Sequence, residues 1–151
     1  MLVYRIGSSR HPANDGTGAS LYPGRWNLRG TPVIYTAQTA SLCALEVLAG
    51  ARELASDYVI VEIDIPDDIP RETLEDQDLP ADWNAEVHPE STRAIGGDWA
   101  ARGSTAVLSV PSTVNPYERN FVLNPAHADF QRFSFREPQP FTFSGRLKRR
   151  V

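Results

Sequence analysis

Apolar residues occupy every second position in two stretches of the chain, which is the pattern of a β-strand with one buried face. Near the start, Leu2, Tyr4 and Ile6 stand at alternate positions. Residues 57–65 show the pattern more clearly, with valine or isoleucine at positions 59, 61, 63 and 65. We predict a strand at each place, and a third at residues 33–36, where four residues that include two β-branched aliphatics follow a proline.

A helix is predicted between the second and third of these strands, at residues 39 to about 56, with Thr39 as its N-cap. Its apolar face, read at helical spacing, comprises Leu42, Leu45, Leu48 and Ala49. Glu46 stands at the margin of that face. We therefore expect its carboxylate to point along the helix edge toward the preceding strand.

Two long segments lack periodic apolar residues. Residues 7–31 are dense in glycine, asparagine and proline, which favours an irregular backbone able to approach a ligand closely. This loop contains neither a G-x-G-x-x-G fingerprint nor a Walker-type G-K-S/T, so it does not support a Rossmann or P-loop fold. Residues 66–89 are rich in Asp, Glu and Pro and predict a surface excursion.

The second half of the chain is predicted to be mainly β. A broken helix is expected at residues 90–101, interrupted by Gly96 and Gly97. Short strands are expected at residues 105–110, 119–123, 132–135 and 141–143. With 151 residues, of which 41% are hydrophobic, residues 1–151 suit one domain. We predict a mixed α+β fold with two sheets or one strongly bent sheet, and helices outside.

Charge and cysteine usage limit the classes of function. The formal net charge is −4, which disfavours binding to a phosphate backbone, and the one basic cluster is the tail at residues 146–150. A single cysteine, Cys43, fits a reducing compartment, and the sequence shows no signal peptide or apolar run of membrane-spanning length. We expect a cytoplasmic protein that binds neither nucleic acid nor membranes.

A metal site is not expected. The three histidines at positions 11, 88 and 127 are scattered, and one cysteine does not complete a familiar ligand set. We read these histidines as surface or capping residues.

Three residues suggest a pocket. Arg25 lies in the glycine-rich loop, Tyr35 ends a predicted strand, and Glu46 lies about two turns into the predicted helix. Together they offer a cation for a diphosphate, an aromatic face for a planar ring, and an anion for a developing positive charge. The same three residues are also explained without a pocket, as a surface arginine, a core tyrosine and a solvated glutamate. Spacing alone leaves both interpretations open.

A resemblance favours the first interpretation. The chain resembles the RES-domain family nearly end to end, and the motifs keep the order and spacing of that family. The residues that carry the resemblance are Gly24-Arg25-Trp26-Asn27, the run at 33–37, Leu45-Glu46, Val110-Pro111-Ser112, and the run at 118–125 with His127. The family is named after an arginine, a glutamate and a serine, which map to Arg25, Glu46 and Ser112 here.

The resemblance implies the toxin of a bacterial toxin–antitoxin pair, with a fold similar to ADP-ribosyltransferases. NAD is then a substrate and no cofactor is implied. The implied catalytic residues are Arg25, Tyr35, Glu46 and Ser112, and the implied substrate-binding residues are Arg5, Trp26, Asn27 and Asn120. The implied partner is an Xre-like helix-turn-helix antitoxin, and self-association as a homodimer is left open.

The implied chemistry is cleavage of the bond between nicotinamide and ribose, with either water or phosphate as the acceptor. Such cleavage passes through an oxocarbenium-like state, which a carboxylate stabilises, and this is the role expected of Glu46. Arg25 is expected to hold the diphosphate or orient the ribose, and Tyr35 to stack on the nicotinamide. Ser112 is expected to bond a substrate oxygen or to orient Glu46, and not to act as a nucleophile.

Three other functions compete with this one. ADP-ribosyl transfer to a protein would use the same pocket and differ only in the acceptor. A module that binds a nucleotide or protein without turnover is less consistent with an anion beside the substrate. A ribonuclease toxin is disfavoured by the acidic pI, near 5.3, and by the lack of a catalytic histidine pair.

Overall fold

A computed structural model describes residues 1–147 as one eight-stranded sheet with helices packed against it. The strands are β1 (Leu2–Ser8), β2 (Ile34–Ala37), β3 (Tyr58–Asp64), β4 (Arg71–Thr73), β5 (Val107–Pro111), β6 (Arg119–Leu123), β7 (Ser134–Phe135) and β8 (Gln139–Pro140). The helices are α1 (Thr17–Leu21), α2 (Ala40–Gly50) and α3 (Glu90–Arg102), with 3₁₀ turns at Asp76–Asp78 and Ala128–Arg132. Most of the basic tail lies outside the described residues.

The strand order is β4-β5-β6-β2-β1-β3-β7, and β8 also pairs with β3. All pairs are antiparallel except β4 with β5. The predicted α+β class is confirmed, and the strands form one sheet rather than two.

Helices α2 and α3 pack on the same face of this sheet. Ala37 on β2 packs against Leu42 and Cys43 of α2, and Val122 on β6 packs against Trp99 of α3. Val122 pairs with Tyr35 on β2. Tyr35 and Ala37 lie on the same face of β2, because side chains two positions apart on a strand point to the same side. The two helices therefore flank a common stretch of sheet, and the candidate site lies there.

Helix α2 differs from the prediction in length and in its buried face. It ends at Gly50 rather than near residue 56, and Thr39 caps it as expected, since its hydroxyl accepts a hydrogen bond from the Leu42 N–H at 3.0 Å. Leu45 is 41% exposed, whereas Cys43 is buried. Leu42 is buried as predicted, but the prediction was wrong for Leu45 and Ala49, because the buried face follows the sheet on which the helix packs.

The remaining differences concern the irregular segments. The loop at residues 7–31 contains α1. The acidic excursion contributes β4, which pairs in parallel with β5 and is flanked in the sequence by two buried residues, Ile69 and Leu74. The strand predicted at residues 141–143 is wrong, because β3 pairs instead with Gln139–Pro140. Within residues 1–147, no helix is long and apolar enough to cross a membrane.

Helix α3 is continuous through Gly96 and Gly97, so the predicted break is wrong. A Cβ on Gly96 would lie 1.6 Å from the carbonyl oxygen of Trp26, and one on Gly97 would lie 2.5 Å from the Leu28 side chain. The two glycines therefore let α3 approach the backbone of the loop that carries Arg25.

We expect Gly96→Ala to destabilise the protein by about 1–3 kcal/mol or more, because backbone must move to admit the methyl group. For a chain of this size, each kcal/mol lowers the melting temperature by roughly 2–4 °C. Thermal unfolding followed by circular dichroism measures the effect. Gly50→Ala is the matched control, since a Cβ there meets no atom within 4 Å, and its melting temperature should not fall. Equal melting temperatures for the two variants would contradict the packing argument.

Candidate active site

A cavity of about 760 Å³ lies on the sheet face beside α2. Its walls come from the loop at residues 24–26, from β2, from α2, from the excursion at residues 84–88 and from the residues after β5. Five residues predicted from the sequence line it, namely Arg25, Trp26, Tyr35, Glu46 and Asn120. The fold therefore brings together residues that are up to 95 positions apart in the sequence.

Glu46 enters the cavity from the side of α2 that faces the sheet. It stands one turn after Cys43 and next to Val47, and all three line the cavity. Oε1 of Glu46 accepts a hydrogen bond from the Ser112 hydroxyl at 2.8 Å. Glu46 is thus half-buried beside the buried Cys43, and one of its carboxylate oxygens is fixed.

Ser112 is held in turn by the backbone that follows it. Its Oγ accepts hydrogen bonds from the N–H groups of Val114 and Asn115, both at 3.0 Å, and the residue is 1% exposed. With both lone pairs occupied by donors, the hydroxyl proton is directed to Glu46. Of the two roles expected for Ser112, this geometry favours orientation of Glu46.

Arg25 lies in the same cavity and interacts electrostatically with Glu46. Its Nη1 donates a hydrogen bond to the carbonyl oxygen of Trp83 at 2.8 Å, which ties the glycine-rich loop to the acidic excursion. Burial lowers the pKa of Arg25, and the nearby Glu46 and Tyr35 oppose that effect. Because an arginine pKa starts so high, the guanidinium remains charged at neutral pH.

Tyr35 connects β2 to the loop that carries Arg25. Its hydroxyl donates to Oδ1 of Asn27 at 2.6 Å and accepts from the Trp26 N–H at 2.9 Å. A Cβ on Gly24 would lie 2.7 Å from the Tyr35 ring, so glycine is required for this contact. Burial raises the pKa of Tyr35, and the phenol stays protonated. The hydroxyl therefore positions the loop, a role that the sequence did not indicate.

We expect Tyr35→Phe to be nearly as harmful as Tyr35→Ala. The phenylalanine keeps the ring but leaves the Trp26 N–H and Asn27 Oδ1 without this partner, at a cost of about 1–3 kcal/mol for a buried unpaired group. Steady-state turnover and chemical denaturation of both variants measure this. Tyr35→Phe with wild-type activity and stability would show that only the ring matters.

The other predicted substrate-binding residues differ in their access to the cavity. Asn27 is fully buried, and both ends of its amide are hydrogen-bonded. The amide nitrogen donates to the backbone carbonyls of Ala19, Leu28 and Thr31. The amide oxygen accepts from the Gly24 N–H and from the Tyr35 hydroxyl. Its amide is fully used inside the loop. Trp26 lines the cavity but is 3% exposed and packs in the core.

Asn120 lines the cavity from β6, with Nδ2 3.3 Å from the carbonyl oxygen of Thr36. Arg5 lies outside this cavity and lines a smaller compartment next to it. Tyr35 lines both spaces, so Arg5 shares a compartment with Tyr35 but not with Arg25, Glu46 or Asn120.

Sequence reasoning missed three cavity residues in the acidic excursion: Asn84, Glu86 and His88. Burial lowers the pKa of His88, and the positive charges of Arg25 and Arg93 lower it further, so its imidazole is neutral at pH 7. No motif or periodicity marks this segment. Its place over the cavity follows from tertiary contacts such as the Arg25–Trp83 hydrogen bond.

The reactive groups of the cavity suit electrostatic rather than covalent catalysis. Burial raises the pKa of Cys43 to about 12, so its thiol stays protonated and is a poor nucleophile at neutral pH. Among the described residues, no group of three or more His, Cys, Asp and Glu side chains could hold a metal ion. The cavity therefore offers a fixed carboxylate and a cation, in a volume of the size that small-molecule ligands fill.

Comparison with known proteins identifies the family of the chain. The family model described as RES domain matches residues 2–144. A protein of Photorhabdus laumondii named Toxin Res is 42% identical over 137 residues, covering 88% of this chain and 87% of that protein. A Sphingobium protein named Prs ADP-ribosylating toxin is 32% identical over 141 residues, covering 91% of this chain and 88% of its own length.

Among solved structures, a chain of the M. tuberculosis MbcT–MbcA toxin–antitoxin complex superposes with a TM-score of 0.76 at 23% identity. The match covers 93% of this chain and 84% of that chain. It establishes a shared fold. With the family model and the 42% identical relative, it leads to one conclusion: this chain belongs to the RES domain family.

Proposed function

We propose that the chain is the toxin of a toxin–antitoxin pair and that it cleaves NAD between nicotinamide and ribose. The observation that carries this proposal is the Ser112–Glu46 hydrogen bond, which fixes a carboxylate in the same cavity as Arg25. The names of the relatives, which are toxins, support it.

In the proposed reaction, the bond from ribose C1′ to the pyridinium nitrogen breaks, and its electron pair neutralises the departing nicotinamide. The positive charge moves to the ribose, where the carboxylate of Glu46 stabilises it. A water molecule then attacks C1′ and loses a proton, which gives ADP-ribose. Ser112 acts through Glu46, because its hydrogen bond holds the carboxylate in one orientation before the charge develops.

Arg25 is proposed to bind the phosphate or ribose oxygens nearest the scissile bond. Its charge interacts with that of Glu46, so Arg25 also limits repulsion between Glu46 and the anionic part of the substrate. Asn120, on the floor of the cavity, offers an amide to the ribose or the nicotinamide.

The experiment that tests this function is incubation of the purified chain with NAD alone in phosphate-free buffer, followed by chromatography. We expect equimolar free nicotinamide and ADP-ribose. If nicotinamide forms only when phosphate is added, and ADP-ribose 1″-phosphate appears, the acceptor is phosphate. NAD that stays intact under all of these conditions, with a folded protein, would overturn the proposal.

ADP-ribosyl transfer to a protein is the second candidate, favoured by the relative named as an ADP-ribosylating toxin. It requires the same cavity and differs in the attacking nucleophile. NAD labelled on the adenosine side, added with a host lysate, separates the two functions. Label in a protein band favours transfer, and label in free ADP-ribose favours hydrolysis.

We also propose that a helix-turn-helix antitoxin covers the cavity and inserts a segment between Arg25 and Glu46. The structural neighbour comes from a toxin–antitoxin complex. Exposed apolar side chains stand at the cavity here, since Val87 is 84% exposed between two cavity residues and Val114, which lines the cavity, is 36% exposed. Both partners would act in the cytoplasm. Co-expression should abolish NAD loss, and a complex that still cleaved NAD at the free rate would argue against occlusion.

A further inference from the structure

A separate cavity of about 440 Å³ lies on the opposite face of the sheet from the active site. Side chains alternate along a strand, so Phe121 on β6 points away from Asn120, which lines the active-site cavity. Ser109 on β5 pairs with Phe121 and shares its face. The lining of this outer cavity includes Gln38, Arg71, Thr73, Ser109, Arg119 and Phe121. The sheet itself therefore separates the outer cavity from the proposed site of NAD cleavage.

Two arginines supply the charge of the outer cavity, and no aspartate or glutamate lines it. Among residues 1–147, neither Arg71 nor Arg119 forms a salt bridge. Arg71 lies over the Phe121 ring, 5.9 Å from its centroid, and its side chain donates a hydrogen bond to the Met1 sulfur, a weak acceptor. A cleft lined by charges of one sign attracts the opposite sign, so the expected ligand is an anion.

Arg119 is fixed in place before any ligand arrives. Its Nε donates a hydrogen bond to the Ser109 hydroxyl at 2.7 Å. Its Nη2 donates to the carbonyl oxygens of Leu74 at 2.6 Å and Ser109 at 3.1 Å. Within the described part of the chain its Nη1 makes no hydrogen bond, so that nitrogen is left to donate to a ligand.

Neutral donors complete the lining of the outer cavity. Ser109 is 2% exposed, and its hydroxyl accepts from Arg119 but has no acceptor for its own proton within residues 1–147. The side-chain oxygen of Gln38 accepts from the Arg119 N–H at 3.0 Å, which leaves the amide nitrogen as the free end of that side chain. Thr73 pairs with Ser109 and adds a second hydroxyl. Because buried donors are normally paired, this lining requires a ligand with several acceptor oxygens.

We propose that the outer cavity binds a phosphate group, as free phosphate or at the end of a small organic molecule. The oxygens of a phosphate dianion accept from several donors at once and pair with both guanidinium groups. Met1, Leu2 and Phe121 add an apolar wall that accommodates an organic group. The phosphates of NAD are internal and carry one charge each, so they fit this site poorly. The proposed cleavage of NAD takes no part in this binding, and either can fail without the other.

Isothermal titration calorimetry with inorganic phosphate and with phenyl phosphate tests this proposal, at about pH 8, above the second phosphate pKa of about 6. Arg71→Met keeps an apolar chain over Phe121 and removes one cation, so it should weaken binding of both probes about tenfold. Arg136→Met is the matched control, because Arg136 is exposed, pairs with Glu62 and does not line the outer cavity. Tighter binding of phenyl phosphate assigns the site to an organic phosphate, and equal or weaker binding assigns it to free phosphate.

A second pair of variants changes the charge of the outer cavity without removing an arginine. Thr73 is exposed, so Thr73→Glu should fold, place a carboxylate beside the guanidinium groups and abolish binding. Thr73→Gln has a similar size and no charge, and should still bind. Arg25→Ala should also bind, which excludes the active-site cavity as the source of the signal. No binding by wild type, equal binding by wild type and Arg71→Met, or loss of binding in Arg25→Ala would overturn the inference.

Discussion

Glu46→Gln is expected to abolish NAD cleavage while leaving the protein folded. The amide keeps the size of the side chain and can still accept the Ser112 hydrogen bond, but it removes the negative charge opposite the ribose cation. Loss of one preorganised electrostatic contact to a transition state costs at least about a hundredfold in turnover, and a full charge should cost more. Nicotinamide release at saturating NAD measures the effect.

Two companion variants make this result specific. Glu53→Gln removes an exposed carboxylate beyond the end of the same helix and should leave turnover unchanged. Ser112→Ala keeps the charge and removes its anchor, so its turnover should fall between wild type and Glu46→Gln. Wild-type turnover in Glu46→Gln would remove Glu46 from the mechanism.

Arg25→Ala is expected to lose cleavage, and Arg25→Lys to recover little of it. One nitrogen of the planar guanidinium donates a hydrogen bond to the Trp83 carbonyl oxygen, while another faces the cavity. The ammonium group of lysine cannot make both contacts in this geometry. A charge-assisted hydrogen bond contributes about 1.5–3 kcal/mol, so kcat/KM should fall roughly tenfold to a hundredfold.

Arg29→Lys is the matched control for Arg25, since Arg29 is exposed in the same loop and, among residues 1–147, donates only to the Leu21 carbonyl at 2.9 Å. It should behave as wild type. Full activity of Arg25→Lys would show that a point charge suffices, and the fork argument would then fail.

The central strands could be predicted from the sequence because their pattern is local. Alternating apolar residues marked β1 and β3, and residues 119–123 formed β6 as predicted. The predicted break in α3 was wrong, because Gly96 does not interrupt the helix but leaves space for the backbone of Trp26. That close approach is visible only in the folded structure. Strand β4 was missed for a similar reason, since its pairing with β5 joins distant segments.

The candidate site was predicted through motif resemblance rather than through composition. Arg25, Tyr35 and Glu46 do line one cavity, and the link from Ser112 to Glu46 explains why a serine belongs with them. Their direct roles on a substrate remain predictions. The positioning role of the Tyr35 hydroxyl and the cavity residues Glu86 and His88 were not predictable, because each depends on tertiary contacts.

The most direct test of the central claim is a crystal structure of Glu46→Gln with NAD bound. We expect the dinucleotide in the 760 Å³ cavity, with ribose C1′ about 3.5 Å from the residue 46 side chain and phosphate oxygens within reach of Arg25. NAD bound elsewhere, for example between Arg71 and Arg119 beside Phe121, or with its ribose remote from residue 46, would contradict the claim.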